Sequence, residues 1–118
     1  MYVDAVVVPV PKKKLSEYRA MARKSGKVWR DHGALQYLEA VADDVKPGKH
    51  TSFPQSVKLK SGETVVFAYI VYKSRKQRDR VLKKVMSDKR LADMMDPKKM
   101  PFDGKRMFWG GFKPLVKA

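Results

Sequence analysis

The apolar positions of the chain form two patterns, continuous runs typical of strands and a spacing of three and four typical of helices. Residues 2–8 and 64–72 are dominated by Val, Ile and aromatic side chains, which favour extended strands. Between residues 15 and 29, and again between 81 and 86, apolar side chains recur at steps of three and four, which predicts amphipathic helices. The sequence therefore predicts a chain that mixes strands and helices.

Proline and capping residues predict where these elements begin and end. Pro9 and Pro11 are expected to close the first strand, and Pro11 suits the first turn of a helix that runs to about His32. Ser74, with Gln77 three residues later, predicts the start of the second helix. Further strands are predicted over residues 34–42, 55–60 and 105–112, and a short helical turn over 88–95.

The order of the main elements is β-α-β-β-α-β, with the short strand 55–60 added in the middle. This order predicts an α+β fold, the ferredoxin-like sandwich, in which an antiparallel sheet carries both helices on one face. The chain has 118 residues, which is the usual size of one domain. We therefore assign residues 1–118 to a single domain.

Both faces of the strand at residues 65–72 are apolar. Its odd-numbered residues and its even-numbered residues are all aliphatic or aromatic. Because two helices cover only one face of a sheet, the second apolar face would be costly to leave in water. We expect a second copy to cover it in a two-fold homodimer. The alternative is a monomer whose sheet stacks RNA bases on Phe67 and Tyr69.

The charge of the chain is concentrated in the two predicted helices. Lys and Arg number 27 against 12 acids, a net charge of +15, and residues 12–30 and 73–90 each carry +7. Such helices can bind the phosphates of DNA or RNA, although a solvated basic surface gives the same pattern. The candidate nucleic-acid contacts are Lys12, Lys13, Lys14, Arg75, Lys76, Lys83 and Lys84.

Several classes of protein are excluded by composition. The absence of cysteine excludes disulfides, thiolate nucleophiles and Cys-based zinc sites. No apolar run approaches the ~20 residues of a membrane span, and no basic segment precedes an apolar one at the N-terminus. We expect a cytoplasmic protein that does not contact a membrane.

No sequence motif identifies a reaction. Phosphate loops, paired catalytic carboxylates and nucleophile elbows are absent, so no catalytic residue, cofactor or metal is predicted. We predict instead that a small molecule binds between the helices and the sheet. The candidate ligand-binding residues are His32, Glu39, Tyr69, Asp103, Arg106 and Trp109.

Each of these candidates also has an ordinary structural interpretation. His32 can cap a helix, Asp103 can form a turn with Gly104, and Arg106 can pair with a carboxylate across the sheet. Asp4 and Glu39 lie in strands that should be mostly buried, so each is expected to need a partner. Arg106 and Lys58 are the expected partners.

The segment Met-Pro-Phe-Asp-Gly-Lys-Arg-Met at residues 100–107, followed by Gly-Gly-Phe at 110–112, is distinctive. With Tyr-Val-Asp at 2–4, Thr-Ser-Phe-Pro-Gln at 51–55 and Tyr-Lys-Ser at 72–74, it resembles the YbaA-like bacterial family of unknown function. The resemblance covers nearly the whole chain. It implies a ferredoxin-like protomer and a sheet-to-sheet homodimer of the dimeric α/β-barrel superfamily, but no activity. A cofactor-free monooxygenase or isomerase follows only by analogy of fold.

Overall fold

Four strands form one antiparallel sheet in the order β2-β3-β1-β4. The computed structural model describes residues 1–118 and places these strands at Tyr2–Pro11 (β1), Gln36–Val41 (β2), Glu63–Tyr72 (β3) and Phe108–Phe112 (β4). The two long, Val-rich strands β1 and β3 pair along their whole length, from Tyr2 opposite Tyr72 to Pro11 opposite Glu63. The shorter strands β2 and β4 form the edges of the sheet.

Two longer helices pack on one face of the sheet. They are α1 (Leu15–Asp31) and α3 (Arg75–Met86), with the single-turn α2 (Phe53–Ser56) and the short α4 (Lys89–Met94) in the connections. The predicted cap of α3 is confirmed, because the Ser74 hydroxyl accepts the Gln77 N–H at 3.1 Å. The α+β ferredoxin-like architecture is therefore confirmed, with residues 1–118 built around one sheet.

The helix-facing core is formed by apolar residues of the two longer helices and of the central strands. Val28, Val81 and Val85 pack with Ile70 and Tyr72 of β3. At the other end of α1, Tyr18 packs with residues 8, 10 and 66 of the sheet. Met86 and Met95 lie outside this core, and both are more than half exposed.

The predicted strand 55–60 is wrong. Ser52 caps the helical turn α2 by accepting the Gln55 N–H at 3.2 Å. Lys58 has a φ of 51°, a left-handed conformation that a β-strand cannot contain. The alternating apolar residues have a different cause. Val57 is buried against Val7 and Val65 on the sheet face that lies opposite the helices.

Two strand ends also differ from expectation. Pro9 and Pro11 do not close β1, because β4 pairs only with residues 3–7 and leaves β1 a free edge beyond them, where proline is tolerated. The last strand begins at Phe108 rather than at 105. Residues 104–106 form a 3-10 turn instead, and Asp103 caps it.

The connection between β2 and β3 covers only part of the sheet face opposite the helices. Pairing places Leu38, Phe67, Phe108 and Phe112 on this face, and between 38% and 60% of each is exposed. Apart from Glu63, no strand residue on this face is charged. We call the uncovered part the open face. None of the four helices has the length and apolar composition that a membrane crossing requires.

Candidate functional site

A groove of about 640 Å³ runs between α1 and the edge strand β2. It exists because α1 lies along an edge strand that has no further strand beside it. Gly26 allows the Tyr37 ring to lie against the helix, since a Cβ at this position would be 2.9 Å from Tyr37 Cδ1. We call this space the α1–β2 groove.

A carboxylate and two phenols meet in the α1–β2 groove. The alternation of β2 places Tyr37 and Glu39 on the helix-facing side, where Glu39 Oε2 accepts the Tyr37 hydroxyl at 2.6 Å. The Tyr18 hydroxyl, from α1, donates to Glu39 Oε1. The carboxylate of Glu39 is half-buried, and both of its oxygens are held by phenols.

The two phenols remain protonated donors. Burial, followed by the neighbouring negative charge of Glu39, raises the pKa of both Tyr18 and Tyr37 far above the ordinary value for tyrosine. At neutral pH both phenols therefore keep the proton that they donate to Glu39.

The other wall of the groove is basic. Arg19, Arg23, Lys27 and Arg30 follow each other at steps of three and four along α1, so they form one stripe. Lys27 pairs with Asp31 at 3.3 Å and Arg30 donates to the Ala34 carbonyl at 3.1 Å. Arg19 and Arg23 take part in none of the ion pairs of the structure. Two guanidinium groups without ion-pair partners thus line the groove, carried by residues whose Cα atoms are about 6 Å apart along the helix axis.

The groove offers recognition rather than an identified reaction. Apolar side chains of Leu15, Ala22 and Val66 also line the groove. Free guanidinium groups bind phosphate or carboxylate groups, and an apolar lining binds the body of a small molecule. No group of three or more His, Asp or Glu side chains is close enough together to hold a metal ion. The enzyme analogy stays a prediction.

A second polar cluster is largely buried between α3 and the sheet. Asp4 is 2% exposed, and its Oδ1 lies 3.1 Å from Arg78 Nε. The prediction that Arg106 or Lys58 pairs with Asp4 is therefore wrong. Burial raises the pKa of Asp4, while the Tyr72 hydroxyl and Arg78 oppose this shift. A Cβ at Gly111 would lie 2.1 Å from Arg78 Nη2, which explains why glycine occupies this position. This cluster is a packed structural ion pair.

The candidate ligand-binding residues of the sequence do not converge. Of the six, only Glu39 lies in the α1–β2 groove. Its partners are Tyr18 and Tyr37, and not the expected Arg106 or Lys58. Tyr69 lies on the open face, and Trp109 lies 6.0 Å from the Arg78 guanidinium on the helix-facing side of β4. His32 ends α1, with Nε2 2.8 Å from Asp88 Oδ2.

Asp103 and Arg106 belong to a contact between the 3-10 turn and β3. Arg106 Nη1 donates to Glu63 Oε1 at 2.7 Å, and Asp103 accepts the Lys105 N–H at 3.0 Å. These bonds occupy both side chains within the fold, as the structural interpretation of the sequence expected. A ligand-binding role for them stays a prediction.

The candidate nucleic-acid contacts lie in separate places. Lys12–Lys14 follow β1 at the Pro11 end of the sheet, whereas Arg75 and Lys76 follow β3 at the opposite end. The ten-residue strand β3 separates them by about 30 Å. Lys83 and Lys84 lie in the last turn of α3. Their nucleic-acid role stays a prediction.

The sequence interpretation missed four residues of the groove: Tyr18, Arg19, Arg23 and Tyr37. Their signals were present, because Arg19 and Arg23 are four residues apart beside the inward-facing Tyr18, and Tyr37 alternates with Glu39. The missing information was which helix flank faces the edge strand.

An antiparallel sheet in the order β2-β3-β1-β4 with helices on one face defines a ferredoxin-like α+β domain. Two solved structures share this fold. Atu4242 from Agrobacterium tumefaciens is 10% identical with a TM-score of 0.63, and the match covers 97% of this chain and 93% of that one. An uncharacterized NIPSNAP domain protein from Burkholderia xenovorans is 11% identical with a TM-score of 0.59, covering 100% and 98%. At these identities the likeness concerns the fold alone.

The chain belongs to the family described as "Protein of unknown function (DUF1428)", which it matches over residues 1–104. It is 44% identical over 115 residues to the uncharacterized protein YbaA of Escherichia coli (strain K12), covering 98% of this chain and 97% of YbaA. The same identity and coverage relate it to YbaA of Shigella flexneri. The family resemblance drawn from the sequence motifs is confirmed.

Proposed function

We propose that the protein binds a small anionic molecule in the α1–β2 groove. The observation that carries the proposal is the pair Arg19 and Arg23, which line this groove and have no carboxylate partner in the chain. A phosphate or carboxylate group placed between them receives hydrogen bonds from charged donors, which contribute about 1.5–3 kcal/mol each. The apolar side chains of the groove then contact the rest of the molecule.

Phenyl phosphate tests this proposal, because it combines an anion with a flat apolar body. Calorimetric titration should show binding to the natural protein and at least about tenfold weaker binding to the double variant Arg19→Gln/Arg23→Gln. The matched control is Arg80→Gln/Lys84→Gln, an exposed pair with the same spacing on α3. Absence of binding, or equal weakening in the control, would overturn the proposal.

We also propose that two copies associate through the open face. Leu38, Phe67, Phe108 and Phe112 are exposed there, and a Cβ at Gly110 would contact only Phe112, at 3.8 Å. An apolar surface of this kind favours association, and a two-fold axis lets the same surface serve both copies. Because the α1–β2 groove lies on the helix side of the sheet, it remains open in such a dimer.

Light scattering tests the homodimer. At micromolar concentration the expected mass is twice 13.5 kDa, and Phe67→Glu should give a folded monomer. Met86→Glu is the control, because Met86 is also exposed and apolar but lies on α3. A natural protein that is monomeric would contradict the dimer.

A further inference from the structure

Glu39 lacks the cationic partner that three other buried or half-buried carboxylates of this protein have. Asp4 pairs with Arg78, Glu63 with Arg106, and Asp88 with Arg90. Glu39 is half-buried in a chain with a net charge of +15, yet no Lys, Arg or His lies within ion-pairing distance of it. Its negative charge is shared with two phenols and is not neutralised by the chain.

The phenols leave acceptor capacity on Glu39. Each carboxylate oxygen has about two acceptor positions, and each receives a single tyrosine proton. A tyrosine hydroxyl has one proton to donate, so Tyr18 and Tyr37 cannot fill the remaining positions. The two rings hold the carboxylate in place, since Tyr18 is buried and the Tyr37 ring packs against Trp29 at 5.9 Å between centroids.

From these contacts we infer that the ligand of the α1–β2 groove is bipolar, with an anionic group for Arg19 and Arg23 and an ammonium group for Glu39. This inference rests on the proposed function and names the class of its ligand. Guanidinium groups and an unneutralised carboxylate line one groove together with apolar side chains. A phosphate monoester of an amino alcohol or aminophenol, or an amino acid with an anionic side chain, has this distribution of charge.

The contact between Glu39 and the tyrosines also joins β2 to α1, so a variant of Glu39 can change ligand binding by disturbing the fold. The test therefore compares ligands as well as variants. Phenyl phosphate carries the anion and the ring, 4-(2-aminoethyl)phenyl phosphate adds the ammonium group, and tyramine carries the ring and the ammonium group without the phosphate. All three are titrated into the natural protein by calorimetry.

The expected result is that the aminoethyl ester binds at least about tenfold more tightly than phenyl phosphate, because a charged hydrogen bond is added. Tyramine should bind more weakly than either phosphate. In Glu39→Gln the advantage of the aminoethyl ester should disappear while the affinity for phenyl phosphate is kept. Glu17→Gln is the control, since Glu17 is an exposed carboxylate of α1 outside the groove.

The outcomes separate the two proposals. If neither phosphate ester binds, the proposed function and the inference both fail. If phenyl phosphate binds and the ammonium group adds no affinity, the groove binds anions and the bipolar ligand is wrong. An advantage that persists in Glu39→Gln would also overturn the inference, because the ammonium group would then bind elsewhere. The comparison of ligands on the natural protein remains decisive even if Glu39→Gln fails to fold.

Discussion

At the level of single residues, Arg78 determines whether Asp4 can remain buried as an anion. Asp4 is 2% exposed and the Arg78 side chain is 13% exposed, so removing the guanidinium leaves a buried charge without a cationic partner. We predict that Arg78→Met lowers the free energy of unfolding by about 3–5 kcal/mol. Urea denaturation followed by circular dichroism measures the change.

Two further variants check the cause of this loss. Arg75→Met removes a neighbouring guanidinium that is 72% exposed, and it should change stability by less than about 0.5 kcal/mol. The double variant Asp4→Asn/Arg78→Met removes both charges and should be more stable than Arg78→Met alone. Equal stability of the single and double variants would show that Arg78 acts through packing and not through Asp4.

At the level of elements, the Glu63–Arg106 pair joins the start of β3 to the turn that precedes β4. The hydrogen bond from Arg106 lowers the pKa of Glu63, which therefore binds a proton less readily in the folded state than in the unfolded one. Stability from this pair is present above the unfolded pKa of about 4.3 and is lost as pH falls through the lower, folded pKa.

We predict that the free energy of unfolding of the natural protein falls more steeply below about pH 5 than that of Glu63→Gln. Denaturation at a series of pH values measures both slopes. Glu17→Gln removes an exposed carboxylate that makes no ion pair, so it should keep the slope of the natural protein. Parallel curves for the natural protein and Glu63→Gln would contradict the prediction.

The local sequence was sufficient to predict β1 and β3 from their β-branched and aromatic residues, and α1 and α3 from apolar residues that recur at steps of three and four. It was not sufficient for residues 55–60, where Val57 is apolar because the connection between β2 and β3 packs on the sheet face opposite the helices. Glu39 was predicted as a site residue from its position in a strand. Its phenol partner Tyr18 lies 21 residues away and meets it only when α1 packs along β2, so sequence spacing does not reveal the pair.

At the level of the whole molecule, a net charge of +15 is held within 38 × 38 × 20 Å. In about 0.01 M salt the screening length is about 30 Å, so nearly every basic side chain repels the others, whereas in about 0.15 M salt it falls to about 8 Å. Self-repulsion opposes the folded state. We predict that Tm rises between these two salt concentrations by about 4 °C, which corresponds to about 1 kcal/mol.

Variants with opposite changes in charge test whether self-repulsion causes this rise. Changing Lys12, Lys13 and Lys14 to Gln lowers the net charge to +12, and changing Asp43, Asp44 and Asp93 to Asn raises it to +18. All six side chains are exposed and none makes an ion pair, so the two variants differ from the natural protein mainly in repulsion. Scanning calorimetry in sodium chloride should show the smallest salt effect at +12 and the largest at +18. The opposite order would mean that salt acts on the apolar open face or on particular ion pairs, and not on the net charge.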